Sequence, residues 1–192
     1  MPTPVHIAAI SGSLRRGSYN SALVREAASR LPEAATMEIL PIRDLPFFDA
    51  DLEAAGSPDS VRRFRAGLAG ADALLIATPE YNYSVTAALK NAIDWASRGP
   101  ASPLDGKPAA IMGAGGRLGT ARAQLHLREI LMHNRVHVLP GPEILVAGAS
   151  AQFDEHLRLR DPMLGERIGH LVAELVVFTI RHRLAAPLGA AG

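Results

Sequence analysis

The chain has 192 residues, 48% of them hydrophobic and 20% charged, which fits one compact soluble domain with a sizeable core. Its 20 basic and 19 acidic residues leave a net charge of +1, so the charge balance offers no reason to expect nucleic acid or an acidic membrane surface as a partner. With no cysteine, disulfides, thiolate catalysis and cysteine-ligated metals are excluded, and the composition fits the cytoplasm. The N-terminus lacks a signal-peptide pattern, and no apolar stretch reaches transmembrane length.

Val5–Ile10 is an apolar run that predicts a buried strand. A helix is expected over 19–31, with Leu23, Val24, Ala27, Ala28 and Leu31 on one face. Thr36–Leu40 reads as a second strand stopped by Pro41, and a long loop to Ser57 follows. Asp59–Leu68 is expected to be helical, with Val61, Phe64 and Leu68 at helical spacing. Ala73–Ala77 is a third strand and Val85–Ser97 a third helix. Pro108–Met112 is a fourth strand, followed by a glycine-rich loop over 113–119 and a helix over 120–133. Val136–Leu139 and Ile144–Val146 read as one bent edge strand. Asp161–Pro162 opens a closing amphipathic helix, with Asp at the cap and Pro in the first turn. One domain is expected over 1–184, and 185–192 is expected to be a disordered tail.

Strands alternating with helices imply a parallel sheet covered on both faces. Five such units fit an α/β, flavodoxin-like three-layer sandwich of strand order 2-1-3-4-5. In that order the winding reverses between strands one and three, and ligands bind outside the carboxyl ends of the strands there.

Those two strands carry the two most distinctive loops. Residues 11–20 read S-G-S-L-R-R-G-S-Y-N. Ser11, Ser13, Ser18 and Asn20 offer polar donors, and the start of a helix adds free N–H groups and a partial positive charge. Arg15 or Arg16 could add a charge-assisted contact to an anion. Neither a nucleotide-hydrolysing P-loop nor a G-x-G-x-x-G fingerprint is present. Residues 79–84 read P-E-Y-N-Y-S. Tyr81, Asn82 and Tyr83 supply flat apolar surface and amide hydrogen bonds, and two of the chain's three tyrosines stand here. Together the loops describe a site for a flat phosphorylated cofactor, and FMN meets both demands. The 113–119 loop leaves room for close backbone approach. The seven histidines lack metal-ligand spacing, and no metal is expected. Glu80 has no partner nearby in sequence and reads as a loop residue acting through its backbone.

These motifs, with L-K-N-A-I-D-W at 89–95, L-D-G-K-P at 104–108 and G-R-L-G-T-A-R-A-Q at 116–124, resemble the NADPH-dependent FMN reductases, in particular the bacterial branch of quinone and chromate reductases. The resemblance spans nearly the whole chain. It implies FMN bound without a covalent link, its phosphate on Ser11, Ser13, Arg15, Ser18 and Asn20, with Tyr19 beside them. It implies an isoalloxazine ring against Pro79, Glu80, Tyr81, Asn82 and Tyr83, with Ala114, Gly115 and Gly116 on another side. It also implies a homodimer or homotetramer, with Lys90, Asn91, Asp94 and Trp95 as interface or structural residues. Two positions depart from the family pattern: Thr86-Ala87 replaces a usual Pro-Gly, and Ala114 stands where a serine is frequent.

The expected activity is reduction of a small acceptor by NADPH or NADH in two half-reactions, the donor leaving before the acceptor enters the same space. No side chain is required as acid or base, so no catalytic residue is assigned. Quinone, chromate, azo dye, ferric iron and free flavin all remain open as acceptors. An electron carrier of the same fold is the competing class, and its usual strong acidity is missing here. A receiver domain would need an acidic cluster where Ser11 and Thr78 stand.

Overall fold

Residues 3–185 are described by a computed structural model. In chain order the elements are β1 (Val5–Ser11), α1 (Tyr19–Ser29), β2 (Ala35–Ile39), α2 (Ala50–Ala54), α3 (Asp59–Gly70), β3 (Ala73–Ala77), α4 (Ala87–Ala96), β4 (Pro108–Ala114), α5 (Ala121–His133), β5 (His137–Val138), β6 (Ile144–Val146), α6 (Ala149–Gln152) and α7 (Pro162–Ala185). All strand pairs are parallel, in the order β2-β1-β3-β4-β5, with β6 also on β4.

The apolar runs are buried on both faces, and the pleat sorts them. Val5, Ile7, Ala9, Leu75, Ala110 and Met112 pack against Leu23, Val24 and Ala27 of α1 and Ile168, Leu171, Val172 and Leu175 of α7. Their neighbours in sequence, Ala8, Ile10, Leu74, Ile76, Ala109 and Ile111, face Phe64 and Leu68 of α3, Leu89 and Ile93 of α4, and Leu127 and Leu131 of α5. This alternation makes a three-layer sandwich, because strands of period two feed two separate cores.

The expected bent edge strand is two strands, so the sheet has six rather than five. β5 pairs with Pro108 and Ala109 of β4, whereas β6 pairs with Met112, Gly113 and Ala114 of the same strand. Pro140 and Pro142 lie between them, and proline has no N–H to continue the ladder.

Two further differences concern helices. The 41–57 loop contains α2, capped by Asp49, whose Oδ1 accepts from Asp51 N at 2.8 Å and Leu52 N at 3.4 Å. Helix α4 starts at Ala87 rather than Val85, because Thr86 is extended and its hydroxyl caps Leu89 N at 3.2 Å. Asp161 caps α7 as expected, accepting from Met163 N at 2.9 Å. Ala185, placed in the expected tail, is the last residue of α7; residues 186–192 lie outside the described residues.

Asn91 and Trp95 have structural work within the chain. The Asn91 amide accepts from Phe48 N at 2.7 Å and donates to Pro46 O at 2.8 Å. Trp95 Nε1 donates to the same carbonyl at 2.8 Å, and Phe48 meets the indole edge-on with centroids 5.0 Å apart. Lys90 and Asp94 form an ion pair one turn apart on the surface of α4.

Candidate functional site

The register aligns the ends of the central strands. Ser11 stands opposite Ala77, and Ala77 opposite Met112. The ladder runs one step further, with Gly12 N donating to Ala77 O at 2.8 Å and Thr78 N to Met112 O at 2.9 Å. The loops after β1, β3 and β4 therefore leave one edge side by side. Between them lies a cleft of about 350 Å³, walled by Ser13, Arg15 and Ser18, by Pro79 to Tyr81, and by Ala114 to Gly116. Tyr19 and Asn20 also reach it.

The first loop is braced by its own hydroxyls. Ser11 Oγ accepts from Ser13 N at 3.4 Å and shares a 2.9 Å bond with Ser21 Oγ. Ser13 Oγ accepts from Arg15 N at 3.3 Å. Ser18 is the N-cap of α1 and accepts from Ser21 N at 3.1 Å, which leaves its O–H free to donate. The backbone N–H groups of Tyr19 and Asn20, in the first turn of α1, have no partner within that helix. Two candidates play other parts. Ser11 does not line the cleft. The Asn20 side chain, buried, grips the end of β4: Nδ2 donates to Ala114 O at 2.9 Å and Oδ1 accepts from Ala114 N at 3.0 Å. The Tyr19 ring stacks on Phe153 with centroids 5.2 Å apart.

The second loop is a tight turn. Tyr81 and Ser84 exchange both backbone hydrogen bonds at 3.0 Å, and Asn82 and Tyr83 take φ of 50° and 66°. Two consecutive left-handed residues match a primed hairpin turn, which is strained at a tyrosine. The turn presents Tyr81 at 57% and Tyr83 at 64% exposure. Helix α5 touches it from outside: the Arg122 guanidinium lies 3.9 Å from the Tyr83 ring centroid, and His126 Nδ1 is 3.0 Å from Ser84 Oγ. Contrary to the expectation of a purely backbone role, the Glu80 carboxylate accepts from Arg122 N at 3.0 Å and Ala123 N at 3.2 Å.

The third loop is shaped by its glycines. A Cβ on Gly115 would stand 2.2 Å from Gly119 O, whereas Gly116 has open space beside its Cα. Thr86, in the first departure from the family pattern, donates to Gly12 O at 2.6 Å and so ties α4 to the first loop. At the second departure, the Ala114 backbone is held by Asn20.

Sequence reasoning missed a fourth segment. Gly148, Ala149 and Ser150, at the start of α6, also line the cleft. Gly115 holds this segment: its N–H donates to Val146 O at 3.0 Å, and its carbonyl accepts from Ala149 N at 2.9 Å. The run of small residues after β6 was the available signal. A second cavity of about 570 Å³, lined by Asn82, Tyr83, Arg117, Leu118 and Arg122 among others, shares Glu80 and Gly116 with the first. Among the described residues no three His, Asp or Glu side chains gather as a metal site, and no helix is long and apolar enough to cross a membrane.

The profile of the NADPH-dependent FMN reductase family matches residues 5–151. An NAD(P)H-dependent FMN reductase of Pseudomonas aeruginosa is 48% identical over 184 residues, covering 95% of this chain and 100% of the relative. An NADPH:quinone oxidoreductase of Arabidopsis thaliana is 40% identical over 92% of this chain and 93% of its own length. Among solved structures, the flavoenzyme NAD(P)H:(acceptor) oxidoreductase FerB from Paracoccus denitrificans superposes with a TM-score of 0.84 at 32% identity, over 93% of this chain and 98% of that one. The chain belongs to the NADPH-dependent FMN reductase family and is an FMN-dependent NAD(P)H oxidoreductase.

Proposed function

We propose that the cleft at the ends of β1, β3 and β4 holds FMN without a covalent bond, and that the physiological acceptor is a quinone or a similar small molecule. The observation that carries this reading is the meeting of two complementary walls. One wall offers anion donors: the Ser13 and Ser18 hydroxyls, Arg15, and the free N–H groups at the start of α1. The other offers the flat face of Tyr81 and the backbone of Pro79 and Glu80, whereas Asn82 and Tyr83 line the neighbouring cavity. Gly116, with nothing beside its Cα, lets a ring approach the backbone. The residues present therefore fit a phosphorylated flat cofactor. Asn20 serves the site through its backbone N–H and by holding Ala114, and Ser11 by bracing Ser13.

FMN, when bound, supplies the two-electron chemistry between the nicotinamide and the acceptor. The protein's part is to hold the phosphate end, leave one face of the cleft open and present Tyr81 at its mouth. The quinone acceptor is supported by the Arabidopsis thaliana and Escherichia coli relatives, named NADPH:quinone oxidoreductase and quinone reductase. A homodimer is supported by Leu125 and Met132, two turns apart on the outer face of α5 and 61% and 72% exposed.

The test is an absorbance spectrum of the purified protein followed by anaerobic addition of NADPH. Flavin bands should bleach, then return when benzoquinone is added. Bands that do not bleach would reduce the protein to a carrier, and no bands after incubation with FMN would refute the assignment of the cleft. Flavin that leaves the protein during turnover would replace the quinone with free flavin as the acceptor.

A further inference from the structure

We propose that Glu80 is a positioning residue: its carboxylate caps α5 from a neighbouring loop and thereby sets the tyrosine-bearing wall of the cleft. The inference rests on the reading of the cleft as an FMN site.

The start of α5 lacks a cap of its own. Thr120 occupies the cap position with φ −133° and ψ 37°, and its side chain makes no capping bond. Its hydroxyl instead accepts from Gln124 Nε2 at 3.0 Å. The free N–H groups of the first turn turn to Glu80, whose Oε2 accepts from Arg122 N at 3.0 Å and Ala123 N at 3.2 Å. A carboxylate there also meets the positive end of the helix. Its other oxygen, Oε1, lies 3.5 Å from the Arg122 guanidinium, and the Glu80 side chain is only 13% exposed.

The same stretch of α5 holds the rest of the turn. Arg122 lies over Tyr83, and His126, one helical turn further on, meets Ser84. Between Glu80 and Ser84 stand the two left-handed residues Asn82 and Tyr83, a conformation that persists only when its surroundings over-determine it. Helix α5 is also the element that the Gly116–Gly119 loop leads into. One carboxylate therefore links the 79–84 turn to the glycine-rich loop and fixes the gap between two walls of the cleft. Glu80 lines both cavities, so a shift in it would be felt in each.

The experiment compares FMN-loaded wild type with Glu80→Ala, Glu80→Gln, Arg122→Met and Leu131→Val. FMN release is followed by recovery of flavin fluorescence after dilution, alongside thermal unfolding. Glu80→Ala should release FMN about fivefold faster, the size of a lost helix cap. Glu80→Gln should stay within about twofold of wild type, because its amide oxygen accepts the same two N–H groups. Arg122→Met, which frees Tyr83 but keeps the cap, should release FMN about twofold faster with an unchanged melting temperature. Leu131→Val loosens α5 at its other end; it should melt earlier yet release FMN at the wild-type rate.

If Glu80→Ala melts earlier but keeps its FMN as wild type does, the carboxylate is a helix cap and nothing more. If Glu80→Ala does not fold, Glu80→Asp, whose carboxylate is one methylene too short to reach the two N–H groups, takes its place: faster FMN release than in Glu80→Gln supports the coupling, and wild-type release overturns it. A wild-type protein that never takes up FMN fails the cleft assignment itself, and this proposal with it.

Discussion

The two walls of the cleft are held in opposite ways. The wall after β1 is braced mostly from within: Ser11 holds Ser13, Ser13 holds Arg15, and Ser18 holds Ser21, each over two or three residues. The wall after β3 is held mostly from outside, by Arg122, Ala123 and His126 of α5 across sequence separations of about forty residues. A hydroxyl-rich loop before a helix can satisfy its own backbone, because serine side chains compete well for nearby N–H groups. A turn with two left-handed residues, one of them tyrosine, cannot settle itself locally and needs a neighbouring helix.

Three substitutions test that contrast, from the largest expected effect to the smallest. Asn20→Ala removes the tie of the first wall to β4 and leaves the buried N–H and carbonyl of Ala114 without partners. Loss of both bonds should lower unfolding stability by about 2–4 kcal/mol. In urea this should appear as a lower midpoint with an unchanged slope. A loss below about 1 kcal/mol would mean that the loop stands by its own hydroxyls alone.

Thr86→Val cuts the strut between the walls, removing the cap on Leu89 and the bond to Gly12. The expected loss is about 1–2 kcal/mol by thermal unfolding. A neutral result would show that the two loops do not depend on each other.

Tyr81→Ala should be the mildest for stability, within about 0.5 kcal/mol, because the ring is exposed and takes no stacking contact or side-chain hydrogen bond among the described residues. Flavin retention or turnover should nevertheless fall. If the purified variant equals wild type in both, the ring does not lie against Tyr81.

Much of this was legible before any fold was known. Ala73–Ala77, apolar throughout, is strand β3, and its neighbours alternate between two cores as parallel pairing requires. The loops at 11–20 and 79–84 meet at the switch point where the strand order places them. Less legible were the short elements. Helix α2 spans five residues and α6 four, too few for a helical period to show. The split of the last edge strand depended on which half of β4 each piece could reach. Asn91 and Trp95, which the family resemblance left between interface and scaffold, clasp the 46–48 segment within the chain.

The roles of individual polar side chains divide along the same line. Ser18 as a helix cap could be read from its place before Tyr19. That Asn20 faces β4, 94 residues away, and that Glu80 caps a helix 42 residues further on, could not. By itself the sequence determined the four central strands, the longer helices, their order and the chemistry of the two main loops, because apolar period and turn residues act over a few positions. Tertiary structure alone decided which oxygen meets which N–H across the cleft, because a hydrogen bond between distant segments leaves no periodic trace in either of them.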